Sequence, residues 1–156
     1  SRLALVKKTA MRAFKVLPIP LRRLAVGLGT PSYTLGAVLV LRRADGRFLL
    51  VDQRHSAGWA LPGGLLRRRE SPVDALVREV GEEIGIHLDP AALPDPTTVV
   101  DARAHRVDLI YVVDGEGEQA HVEDEVEVRR IGWFSLEEIV EITEPTRDIL
   151  EAVARS

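Results

Sequence analysis

Cysteine is absent from this sequence, which removes disulfide staples, thiolate metal sites and a thiol nucleophile at once. No apolar run approaches the ~20 residues that a bilayer-spanning helix needs. The N-terminus is basic but lacks the compact apolar core and small-residue cleavage site of a signal peptide, so a cytoplasmic protein is expected. Acid is missing from the first 44 residues. Nine of the 21 Lys and Arg residues precede Asp45, leaving twelve against all 24 Asp and Glu. Such asymmetry reads first as a basic helical segment docking on an acidic domain or on a second subunit. A membrane surface or RNA is the alternative partner. At 156 residues the simplest organisation is one domain with a substantial core.

In residues 1–32, Leu3, Val6, Ala10, Ala13, Phe14 and Leu17 recur at helical spacing, with Lys8, Arg12 and Lys15 on the other side. This predicts a helix ending before Pro18 and Pro20, and a second from Leu21 to Leu28 that stops at Gly29. From Tyr33 the texture changes to β-branched runs. "YTLGAVLVL", the turn Ala44–Arg47 and "FLLVDQ" predict a hairpin. "GWALP" is a short strand, and Gly63 and Gly64 form a sharp turn. "TTVVDARA" and "HRVDLIYVVDG" predict a second antiparallel pair, and "RRIGWFS" a further strand. Leu136–Val140 and Thr146–Ala154 are expected helices, and "LDPAALPDP" a surface loop. The expected class is α/β, a mixed sheet between helices, with residues 1–32 as an N-terminal helical extension and 33–156 as the main domain.

The stretch that carries chemistry is "GGLLRRRESPVDALVREVGEEIGI", Gly63 to Ile86. Ser71 is an N-cap, Pro72 suits the first helical position, and Gly85 suits a left-handed C-terminal cap. Val73, Leu76, Val80 and Ile84 make a buried stripe. Beside it stand Glu79, Glu82 and Glu83, like charges that repel on one helix face, with Arg78 in reach of Glu82. A hard divalent cation reverses that repulsion, because Mg²⁺ seeks carboxylate oxygen shared with substrate phosphate.

Reading from Gly64, the spacing through Glu70, Arg78, Glu79, Val80, Glu82, Glu83, Gly85 and Ile86 resembles the Nudix box, G-x5-E-x7-R-E-U-x-E-E-x-G-U, with every defined position filled. The resemblance implies a Nudix-type α/β/α sandwich and hydrolysis of a nucleoside diphosphate linked to another moiety X, with Mg²⁺ or Mn²⁺. It makes Glu79, Glu82 and Glu83 catalytic metal ligands, joined by the Gly64 carbonyl, with Glu70 joining the metal's outer ligands or bracing the loop and Arg78 orienting the carboxylates. Gly63, Gly64, Arg54 and Trp59 are expected at the substrate, Trp59 by stacking on a base or else as a core-edge residue. The general base is a box glutamate or an acid of the loop "HVEDEVEV", with Glu125 or Glu123 preferred there over Asp124 and Glu127. A homodimer is common in the family.

Arg67–Arg69 depart from a common form of the box, which has an acid at 67 and a glycine at 69. His55, His105 and His121 show no metal-ligand spacing. Subgroup signatures for NADH, ADP-ribose, diadenosine polyphosphate and coenzyme A hydrolases are missing. The expected substrate is therefore a small-molecule nucleotide, a (d)NTP or a nucleotide sugar. A non-catalytic nucleotide-binding or regulatory module is the alternative, and no specific nucleic-acid partner or transmembrane segment is expected.

Overall fold

The computed structural model describes residues 2–139 and 141–155. The chain divides into two compact units, Ser1–Tyr33 and Thr34–Ser156. The first is a helix pair, α1 (Arg2–Val16) and α2 (Ile19–Gly29). α2 begins two residues earlier than its apolar spacing suggests, because Pro20 is tolerated in a first turn where an N–H would lack an intrahelical partner. No helix among the described residues is long and apolar enough to cross a membrane.

The second unit is built on a mixed sheet. β1 (Thr34–Arg42) pairs in parallel with β6 (Arg106–Asp114), and β6 pairs antiparallel with β5 (Thr97–Asp101). β2 (Phe48–Gln53) pairs antiparallel with β3 (Trp59–Ala60) and with β7 (Val128–Phe134). The two groups of strands meet in the β1–β2 hairpin, whose ladder is registered at Arg42 and Phe48. Its turn is closed by the Asp45 carboxylate accepting the Arg47 N–H at 3.1 Å. Where β1 and β2 part, β4 (Gly63–Leu65) takes β2's place, setting Gly36, Ala37 and Val38 opposite Leu65, Gly64 and Gly63. The sheet therefore opens into a seam at this end. The expected Gly63–Gly64 turn is instead a strand, because the unpaired edge of β1 offers backbone partners.

Alternation along the strands sends successive residues to opposite faces. Ala37, Leu39, Leu41, Leu49 and Val51 meet α3 (Pro72–Ile84) through Leu76, Val80 and Ile84. Val38, Val40, Phe48 and Leu50 meet α4 (Glu144–Ala154) through Ile149 and Leu150. The expected layering of helix, sheet and helix is what forms. Residues 136–138 make a turn rather than the helix expected over Leu136–Val140, and Val140 lies outside the described residues. So short a segment gives little backbone bonding beyond the costly nucleating turn, and Ile139 packs into the α4-side core regardless.

Candidate active site

α3 is fixed at both ends. The Ser71 hydroxyl accepts the Asp74 N–H at 3.1 Å and donates to Asp74 Oδ2 at 2.6 Å. At the other end Gly85 adopts a left-handed conformation, φ 67°, and its N–H reaches the Gly81 carbonyl at 3.1 Å. With both ends set and the apolar stripe buried, the charged stripe faces β4.

Arg78 is the hub of that stripe. Its Nε and Nη2 fork onto the two oxygens of Glu70 at 2.7 and 2.9 Å. Nη1 reaches Glu79 Oε1 at 2.5 Å and Glu82 Oε2 at 3.4 Å, and Nη2 also reaches the Leu65 carbonyl at 3.3 Å. The repulsion anticipated among the glutamates is thus offset by one guanidinium in a fork geometry that lysine lacks. Glu70 additionally accepts the Arg67 N–H at 2.7 Å. The Arg78 hydrogen bond, backed by the Arg67 N–H, holds its carboxyl well below the usual range. Both Glu70 oxygens are committed to these partners, so in this conformation Glu70 braces Arg78 and the loop.

Glu83 is different. It is only 2% exposed, with Oε1 accepting from the Gln53 amide and Oε2 from the Gly63 N–H, both at 2.9 Å. Burial pushes its carboxyl up to about 7. The two donors pull the other way, and the charges of Glu79 and Glu127 add to the rise. Between Glu83 and Glu79 runs β4. The Gly64 backbone lies so near the Glu79 carboxylate that a Cβ there would stand 2.5 Å from the carboxyl carbon. A side chain at position 64 would make the Glu79 carboxylate shift from this place.

A cavity of about 790 Å³ opens on these groups, lined by Glu79, Glu82, Glu83, Gly63 and Gly64 on one side and by Leu61, Thr143 and Thr146 on the other. In this conformation no three His, Asp or Glu side chains among the described residues are gathered to hold a metal ion; Glu70, Glu79 and Glu82 turn to Arg78 instead. The donor set nonetheless fits a hard divalent cation: three carboxylates, one of them buried and short of counter-charge, beside the half-buried glycines of β4.

Several other expected residues lie elsewhere. Trp59 packs its ring on Phe134, centroids 4.6 Å apart, under the Arg130 guanidinium at 5.1 Å. It lines a neighbouring cleft with Asp52 and Arg129 and is not among the residues lining the carboxylate cavity. Arg54 donates from Nε to the Glu125 carbonyl at 2.8 Å, so this pair braces the acidic loop. Glu123 is engaged by His121 Nε2 at 2.6 Å. Of the loop acids, Glu127 lines the cavity, because the Arg54 N–H takes its carbonyl at 2.8 Å and β7 begins at the next residue. His55, Arg67 and Arg106 also line it. Sequence reasoning passed over Arg106, whose one signal was its place at the start of a strand beside β1.

A NUDIX domain model matches residues 32–153. The chain is 37% identical over 59 residues to a MutT-like protein of Streptomyces ambofaciens, covering 38% of each chain. It is 28% identical over 130 residues to the CMP-5'-(N-acetyl-N-hydroxy-3-aminopropyl)phosphonate hydrolase of Streptomyces rubellomurinus, covering 76% of this chain and 60% of that one. It thus spans less than two thirds of either relative. Among solved structures, the MutT NUDIX hydrolase of Burkholderia pseudomallei superposes with a TM-score of 0.65 at 30% identity, over 78% of this chain and 98% of that one.

Proposed function

The chain belongs to the NUDIX family, and from that membership we propose that it is a metal-dependent pyrophosphohydrolase. Its substrate in this reading is a nucleoside diphosphate linked to a moiety X, of the (d)NTP or nucleotide-sugar kind. The relative named as a hydrolase of a CMP-linked phosphonate supports both the reaction class and a nucleotide substrate. The observation that carries the reading is Glu83, a nearly inaccessible carboxylate sharing one cavity with Glu79 and Glu82. A structural helix face has no reason to bury an acid there at the cost of its charge.

Glu79, Glu82 and Glu83, with the Gly64 carbonyl, are the groups that would hold Mg²⁺ or Mn²⁺. A cation so placed would polarise the phosphoryl oxygens and offset the charge of the pyrophosphate. Arg78 releases Glu79 and Glu82 from its Nη1 contacts while its fork on Glu70 keeps it in place. Water adds at phosphorus and the bridging P–O bond breaks, giving a nucleoside monophosphate and phosphorylated X. Glu127, at the cavity wall, takes the proton from the attacking water in place of Glu125. Residues 33–156 are the catalytic domain and 1–32 an extension to it. In the family's common assembly the protein is a cytoplasmic homodimer, which sedimentation and cell fractionation test.

The deciding experiment is a Mg²⁺/Mn²⁺ hydrolysis screen over nucleoside triphosphates, ADP-ribose, dinucleoside polyphosphates and nucleotide sugars, with Glu83→Gln as control. Turnover that needs metal and is lost in the variant supports the reading. Nucleotide binding without turnover, unchanged by Glu83→Gln, makes the chain a binding module instead.

A further inference from the structure

The cavity crosses the seam in the sheet, and its two halves differ in chemistry. On the α3 side stand the carboxylates. On the α4 side the wall is Val38, Leu61, Thr143, Pro145 and Thr146, and at its edge is Arg106. Gly36 shares the strand face of Val38, which points to α4. A Cβ on Gly36 would collide with Asp108 Oδ1 and lie 2.9 Å from Arg106 Nη2. Arg106 and Asp108 therefore stand on the α4 side, across the sheet from Glu79 and Glu83.

Their pairing is one-sided. Asp108 is 6% exposed and takes the Arg106 Nε with both oxygens, at 2.8 and 2.9 Å. The Arg106 side chain remains 37% exposed, and Asp108 is the one carboxylate it pairs with among the described residues. A bidentate carboxylate partner usually takes Nε together with a terminal nitrogen, or both terminal nitrogens. Here Nε alone is used. The buried acid thus acts as a fixed anchor, the bare glycine leaves room for Nη2 against β1, and the guanidinium stands at the cavity's edge.

We propose that Arg106 is a specificity-determining residue that binds an anionic group on the substrate beyond the pyrophosphate, a phosphate or carboxylate carried on the part of the molecule lying against α4. The inference rests on the pyrophosphohydrolase reading and narrows its substrate to nucleotides with an extra distal negative charge. Asp108 is the positioning residue and Gly36 the clearance that the arrangement needs. A guanidinium whose terminal amino groups take no hydrogen-bond acceptor among the described residues suits such an anion. The neutral remainder of this wall, with Thr143 and Thr146 as its polar groups, would leave a charged distal group without counter-charge if Arg106 were absent.

The test compares ligands that differ by one charged group. Calorimetry on the full chain, with Ca²⁺ in place of Mg²⁺ to slow turnover, measures Kd for UDP-glucose against UDP-glucuronate and for NADH against NADPH. The wild type should favour the charged member of at least one pair by about tenfold or more, one charge-assisted contact's worth. Arg106→Gln should abolish that preference while leaving the uncharged member's Kd within threefold, and Arg106→Lys should keep part of it. No preference in either pair for the wild type, or an equal preference in Arg106→Gln, overturns the proposal. A charge preference that vanishes in Arg106→Gln, together with no hydrolysis in the metal screen, would sink the hydrolase reading and leave this one standing.

Discussion

α3 and the loop from His121 to Glu127 are both densely acidic, yet they achieve definition in opposite ways. In α3 each acid has a position dictated by helix geometry: caps fix the ends, an apolar stripe fixes the rotation, and the glutamates then take assigned partners. In the loop, positions come from backbone bonds made to other elements. The His121 and Glu123 N–H groups reach the Ile84 and Glu83 carbonyls at 3.0 and 3.1 Å, and Arg54 holds Glu125 and Glu127 by their carbonyls. Acids in a periodic element can be assigned from spacing. Acids in a loop are assigned by whichever neighbours tie the loop down.

The largest expected effect breaks the helix side of this comparison. Glu79→Gln should lower kcat by about a thousandfold in the presence of Mg²⁺, since metal-borne charge stabilisation is worth several kcal/mol. Circular dichroism should show the fold intact. On the loop side, Glu127→Gln should reduce kcat by about a hundredfold, in the range of a lost general base, while Glu125→Gln and Glu123→Gln change it less than threefold. Equal losses in all three would mean that the loop acts only through its total charge.

Two smaller effects sharpen the contrast through stability. Glu83 has its folded pKa raised to about 7 from an ordinary value of 4.5. The folded state therefore binds more protons than the unfolded state between these values, and stability falls as pH rises through them. With metal chelated, the melting temperature should drop by several degrees between pH 5 and pH 8. Glu83→Gln should flatten that drop, and added Mn²⁺ should reverse it. The smallest effect concerns Arg69, a non-glycine residue in the left-handed region at φ 66°. Arg69→Gly relieves backbone strain of about 1 kcal/mol, partly offset by glycine's freedom in the unfolded chain. A rise of one or two degrees in melting temperature with unchanged turnover is the expected result.

The same contrast explains what could be read before any coordinates. Ser71, Gly85, the buried stripe and the Arg78–Glu82 pair were all legible, because each follows from a 3.6-residue period and known cap chemistry. So was the layered fold, from strands alternating with helical patterns. Trp59 could not be placed, since nothing in "GWALP" tells whether the ring turns to Phe134 or to the cavity. Glu127 was indistinguishable from Glu125 by spacing, because the ladder bond from Arg54 comes from a residue 73 positions away. Gly63–Gly64 read as a turn because a strand this short has no periodicity to show. Arg106 went unnoticed because its anchor is two residues on, a spacing that carries no signal until Gly36 is seen beside it.

The gap that β4 fills beside β1 lets one hollow draw its walls from both layers of the molecule. On the reading proposed for this protein, bond breaking would belong to one layer and molecular selection to the other, with only a thin partition of backbone between. Amino-acid changes on the α4 wall would then retune which ligand is accepted while the carboxylate machinery stays untouched, so a single scaffold of this design would diversify its diet without relearning its reaction.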